Sequence, residues 1–159
     1  MKTITFHYDF LSPYAYLAFE HLPQALEGLS FHVRYRPVLL GALLRAHGLL
    51  GPAEVPHKRE WTYRHVLWQA HAHGIAMDMP AVHPFNPLPH LRLALASTDG
   101  SDTNRHVTET IFREVWRGGG DASDPARLSA LAARLPRVRE PDSDAVKAQL
   151  GANTQAAAC

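Results

Sequence analysis

One cysteine stands in the whole chain, Cys159, at the last position. No disulfide can form within the chain, which fits a reducing cytoplasm. Charged residues make up 19%, below the roughly 25% usual in soluble domains. Neither sign dominates: 16 Lys and Arg against 15 Asp and Glu leave a formal net charge of +1. There is therefore no electrostatic case for a nucleic acid or an anionic membrane surface as partner. No apolar run reaches about 18 residues, so no transmembrane helix is expected. Residues 1–10 lack a basic segment followed by an apolar one and read as a strand, not a signal peptide. There is no internal repeat, and the only low-complexity segment is the tail at 156–158. What is present is enough for one domain with a real core: 159 residues, 46% of them hydrophobic. A disordered tail, a collagen and a coiled coil are excluded.

Ile4, Phe6 and Tyr8 alternate with Thr3, Thr5 and His7, the period-2 pattern of a strand over 2–9. Ser12 and Pro13 follow at once, a good N-cap and a good first helical residue. Tyr14, Leu17, Ala18 and Leu22 then predict a helix from about 13 to 26, stopped at Gly28. Phe31, Val33 and Tyr35 predict a second strand over 30–37. Strand, helix and strand with short loops predict a parallel pair joined by a crossover. The rest reads as helical: 38–47, 58–73, a helix beginning at Leu88, 103–117, one opened by Asp124 and Pro125, and a short last one over 142–150. Between them, 76–89 carries Pro80, Pro84, Pro87 and Pro89 and is expected to be a fixed, irregular loop of the kind that carries sites. Two parallel strands are too few for an independent sheet, so the sheet is expected to be completed elsewhere or to lack part of its domain.

The strongest local feature is Ser12 at the junction of a strand end and a helix start. Open α/β sheets bind ligands there, and helix N-termini favour anions, a thiolate among them. The plain alternative is that Ser12 only caps the helix. Lys58, near a helix start, gains nothing from the dipole and reads as a ligand contact or a solvated lysine. Asn86 either orients a substrate or caps the helix at Leu88. Arg92 either holds a carboxylate bidentately or faces solvent. One of Tyr14 and Tyr16 is expected to line the pocket. Trp61, Tyr63, Trp68 and Trp116 lie at helical spacings and are expected in the core. Eleven histidines raise the question of a metal, but no pair shows the i, i+4 spacing with a carboxylate, so none is expected.

Four stretches, in order, resemble one family. Asp9-Phe10-Leu11-Ser12-Pro13-Tyr14-Ala15-Tyr16-Leu17-Ala18 is similar to the N-terminal signature of 2-hydroxychromene-2-carboxylate isomerases, relatives of kappa-class glutathione transferases. Tyr35-Arg36-Pro37-Val38-Leu39-Leu40-Gly41 resembles that family's second strand and following turn. Pro56-His57-Lys58-Arg59 resembles its loop and helix with a lysine, and His83-Pro84-Phe85-Asn86-Pro87-Leu88, then Leu91-Arg92, its segment before a helix.

The resemblance implies an α/β, thioredoxin-like (DsbA-like) fold. Residues 1–37 and 138–159 would form the thioredoxin-like part and 38–137 an inserted helical subdomain. Ser12 to Ala15 would stand where a thioredoxin has its Cys-x-x-Cys. It also implies glutathione as cofactor, with Ser12 holding its thiol as thiolate. Tyr14, Lys58, Asn86 and Arg92 would contact glutathione or a small aromatic substrate. The implied reaction is cis–trans isomerisation through a thiolate adduct.

Family members are longer, so the last strands are expected to be missing. With them would go any cis-proline loop facing Ser12, and the uncovered sheet edge would favour a homodimer. A glutathione transferase-like activity and a non-catalytic binding or dimerisation remnant are the alternatives. A thiol–disulfide oxidoreductase is disfavoured, because 12–15 holds no cysteine.

Overall fold

The computed structural model describes residues 1–158. The chain runs β1 (Lys2–Tyr8), α1 (Pro13–Ala25), β2 (Phe31–Pro37), α2 (Leu40–Ala46), a 3-10 turn (Pro52–Glu54), α3 (Pro56–Ala72), α4 (Leu88–Ala96), α5 (Arg105–Trp116), α6 (Pro125–Ala133) and α7 (Asp144–Ala157). Strand β1 pairs with β2 in parallel, from Lys2 against Phe31 to Tyr8 against Pro37. Helix α1 begins as its sequence demands: the Ser12 side chain accepts from the Ala15 amide and Pro13 fills the first position. It ends before Gly28, whose φ of +79° an L side chain would resist.

The apolar face of β1 builds an aromatic core with α1 and α5. The rings of Tyr8 and Phe10 lie 5.1 Å apart, Phe10 and Phe112 4.9 Å, and Phe19 and Phe112 5.2 Å. The Tyr8 hydroxyl is buried between Thr103 and Thr108 at 3.0 and 3.1 Å, so the core strand is also hydrogen-bonded to the start of α5. At the other end of α5, Arg113 donates to both carboxylate oxygens of Glu20 on α1, and Arg117 joins them.

Helix α7 returns to the sheet. Asn153 donates to the carbonyls of Pro37 and Ser101, and the Thr154 hydroxyl accepts from the Leu39 amide. Its docking face therefore includes buried polar residues, which apolar periodicity does not reveal. This explains why the helix runs seven residues past the expected end at 150.

Two further expectations are corrected. Helix α2 starts at Leu40 rather than 38, because Val38 is still extended and donates to Tyr8 O beyond the end of the strand pair. Trp61 and Trp68 are exposed, not core. Helix α3 buries Thr62, Val66 and Ala70 instead, and the two indoles both stack with His65.

Candidate functional site

The turn between β1 and α1 opens into a cleft of about 220 Å³, closed by the first turns of α2, the 3-10 turn, α3 and the loop around Pro84. Its walls are mostly apolar, with Leu11, Pro13, Leu40 and Leu44 among them, and Ser12, Tyr14, Tyr63 and His83 supply its polar atoms along with Thr62 and Glu54.

Ser12 sits at the N-terminus of α1. Its Oγ accepts from Ala15 N at 3.1 Å. A hydroxyl that accepts through its oxygen still has a hydrogen to give. Pro13 has no N–H, so the Tyr14 amide is a first-turn donor without a partner inside the helix. A hydroxyl hydrogen, an open amide and the positive end of a helix dipole thus converge at one apolar wall. Such a place lowers the pKa of a thiol and holds a thiolate.

Under this turn lies Asp9, which is buried. One carboxylate oxygen accepts from Leu11 N at 3.0 Å and the other from Leu40 N at 2.8 Å. Asp9 therefore ties the Ser12 turn to the start of α2, two walls of the cleft. Burial pushes its carboxyl up to about 6, against the pull of the two amides.

His83 makes a second tie. Its Nε2 donates to Leu11 O at 2.8 Å, and its Nδ1 lies 2.6 Å from the Tyr63 hydroxyl, which also reaches His83 O at 2.9 Å. Burial holds the His83 pKa below its ordinary value, and the imidazole is neutral near pH 7. The His83–Pro84 peptide is cis, and Pro84 lines the cleft with Ser12. Pro84 belongs to the loop before α4.

Of the residues singled out from sequence, Ser12 and Tyr14 meet in the cleft. Tyr14 hydrogen-bonds His65 Nδ1 at 2.7 Å, which links the cleft rim to the Trp61–His65–Trp68 stack. Tyr16 points into the core and donates to Ala76 O. Lys58 and Asn86 are exposed and do not form the cleft wall. The Asn86 side chain accepts from Leu88 N, the capping alternative. Arg92 lines a separate depression between α4 and α6 and pairs with Asp142 at 3.0 Å. Among the described residues, no group of three or more His, Cys, Asp or Glu is placed to hold a metal ion. No described helix is long and apolar enough to cross a membrane.

The sequence profile of the DSBA-like thioredoxin domain matches residues 3–158. The chain belongs to the DsbA-like thioredoxin domain family. At the turn from β1 into α1 the chain carries Ser12-Pro13-Tyr14-Ala15, with no cysteine. Similar curated proteins include the 2-hydroxychromene-2-carboxylate isomerase of Pseudomonas putida, 28% identical over 130 residues, covering 80% of this chain and 62% of that protein. The isomerase of the same name from Sphingobium xenophagum is 26% identical over 134 residues, 82% of this chain and 67% of that one. Glutathione S-transferase kappa 1 of Rattus norvegicus is 29% identical over 79 residues, half of this chain and 35% of the rat protein. The chain thus spans about three fifths of the Pseudomonas relative. A solved 2-hydroxychromene-2-carboxylate isomerase superposes with a TM-score of 0.74 at 21% identity, over 98% of this chain and 79% of that one, which shows the same DsbA-like fold.

Tyr63, His83 and Asp9 were not expected as site residues. In sequence Asp9 reads as the end of the strand over 2–9 and Tyr63 as core. The contacts that bring them into the site join residues as far as 20 to 72 positions apart, which no local pattern records.

Proposed function

We propose that this DsbA-like chain is a glutathione-dependent isomerase of 2-hydroxychromene-2-carboxylate-type aromatic substrates. The observation that carries the reading is Ser12 at the N-terminus of α1, facing an apolar cleft. The donor set fits a thiol. One hydroxyl, one open amide and a helix N-terminus suit a soft anion, and the apolar walls suit an aromatic ring. When bound, glutathione supplies a nucleophilic thiolate able to add reversibly to an electron-poor alkene, which makes a double bond rotatable. Ser12 donates to the sulfur and keeps it ionised, and Pro13 and the walls exclude water. Ser12 forms no covalent bond in this scheme. The exposed ammonium of Lys58 and the amide of Asn86 would meet the polar ends of the tripeptide from outside the cleft. Arg92, engaged by Asp142, has no part in the proposal.

The test is a calorimetric titration with glutathione beside absorbance-followed isomerisation of a hydroxychromene carboxylate, with and without the tripeptide. Saturable binding and turnover that needs glutathione are expected. Binding without turnover would favour the non-catalytic remnant, and no binding would overturn the reading.

We further propose that two copies associate along β1. Among the described residues β1 pairs only with β2, so its other edge presents backbone donors and acceptors that recruit strands. Light scattering across a concentration series should give a dimer mass; a monomer at the highest concentration would rule this out.

A further inference from the structure

The hydrogen bonds of Tyr63 and His83 fix the chemical character of the cleft beyond Ser12. The Leu11 carbonyl can only accept, so His83 Nε2, 2.8 Å away, carries a hydrogen. In the neutral ring Nδ1 is then a lone pair, and the Tyr63 hydroxyl, 2.6 Å away, donates to it. If the ring takes up a proton, Nδ1–H donates to the Tyr63 oxygen instead. The tyrosine hydrogen then turns to His83 O, 2.9 Å away. In both states the one hydrogen of Tyr63 has an acceptor inside the protein. Toward the cleft the phenol offers only oxygen lone pairs.

We propose that Tyr63 reads a neutral hydroxyl group on the aromatic substrate, accepting a hydrogen bond from it in the cleft it shares with Ser12. Three features select that donor. A substrate carbonyl, ether or phenolate has no hydrogen to give. An ammonium is disfavoured by the apolar walls and by the Arg59 guanidinium near Tyr63. Ser12 supplies a donor and Tyr63 an acceptor, so one cleft can hold a thiolate and a hydroxyl without competition. The inference rests on the reading that the cleft takes an aromatic substrate and adds which group of that substrate is recognised.

The test is equilibrium binding without glutathione and without turnover, so that failure of the isomerase reading and failure of this one are separable. The probes are trans-2-hydroxycinnamate, trans-cinnamate and trans-2-methoxycinnamate, followed by tryptophan fluorescence. The hydroxylated probe should bind the native protein about 3- to 10-fold more tightly than the two that lack the donor. Tyr63→Phe should bring it to the level of cinnamate, with cinnamate itself changed less than about twofold. Equal affinities for the native protein, or no binding of any probe, would overturn the proposal. So would a preference that survives Tyr63→Phe. Loss of all three probes in a folded variant would show that Tyr63 shapes the cleft instead of reading the hydroxyl.

Discussion

Ser12→Ala is expected to slow glutathione-dependent isomerisation about 10- to 150-fold. A hydrogen bond to a charged sulfur contributes about 1.5–3 kcal/mol, and each 1.4 kcal/mol is about a factor of ten in rate. The same hydroxyl oxygen caps α1 by accepting from Ala15 N, so the variant also loses about 1 kcal/mol of stability. The two losses are separable. The cap is lost whether or not ligand is present. The effect on sulfur should appear as a higher pKa of the bound thiol, read from ultraviolet thiolate absorbance across a pH series. Ser12→Cys should retain part of the rate, since a thiol still donates weakly. If Ser12→Ala turned over at the native rate, with an unshifted thiol pKa, Ser12 would be a helix cap and nothing more.

Why Ser12 was legible and its neighbours were not follows from how far each signal reaches along the chain. The alternation of Ile4, Phe6 and Tyr8 and the Ser12-Pro13 pair are local, and the strand and helix formed where they predict. The parallel pairing of β1 with β2 followed from the order strand, helix, strand with short loops. Helix periodicity on α3 did not say which face is inside. Its buried side is made of small residues, Thr62, Val66 and Ala70, so the bulky Trp61 and Trp68 looked like core and are not. Helix α7 ran on because Asn153 and Thr154 bury polar atoms against the end of β2, where a polar pair reads as solvent-facing. Tyr63 and His83 became a unit only when the fold brought α3 against the loop before α4. The family resemblance supplied what local patterns could not, the fold itself, which the domain match and the structural superposition bear out.

Two buried groups, Asp9 and His90, should pull stability in opposite directions over one pH range. Asp9 is pushed up to about 6 from its ordinary 3.8, chiefly by burial. Between about pH 4 and 6 the folded chain holds this proton more tightly than the unfolded one, so the Asp9 contribution falls as pH rises. Its full cost, above about pH 6, is about 3 kcal/mol, from roughly two pH units at about 1.4 kcal/mol each. His90 is pushed down to about 4 from 6.5 by burial. Its ring packs beside Phe10 and Phe85, and its Nδ1 is buried without a hydrogen-bond partner. Between about 4 and 6.5 the unfolded chain binds the proton more tightly, so the His90 contribution rises with pH, again by about 3 kcal/mol. The two offset each other in the native protein, and only variants separate them. Relative to native, Asp9→Asn should gain about 3 kcal/mol between pH 4 and 7, over a constant offset from turning an amide toward Leu11 N or Leu40 N. His90→Gln should lose a similar amount over the same range. Urea unfolding at pH 4, 5, 6 and 7 reads both as differences from native, in which the contributions of the other titrating groups cancel. A difference that stays constant with pH for Asp9→Asn would mean that the carboxylate is ionised in the folded chain throughout. The tie between the Ser12 turn and α2 would then be a charged one at every pH tested.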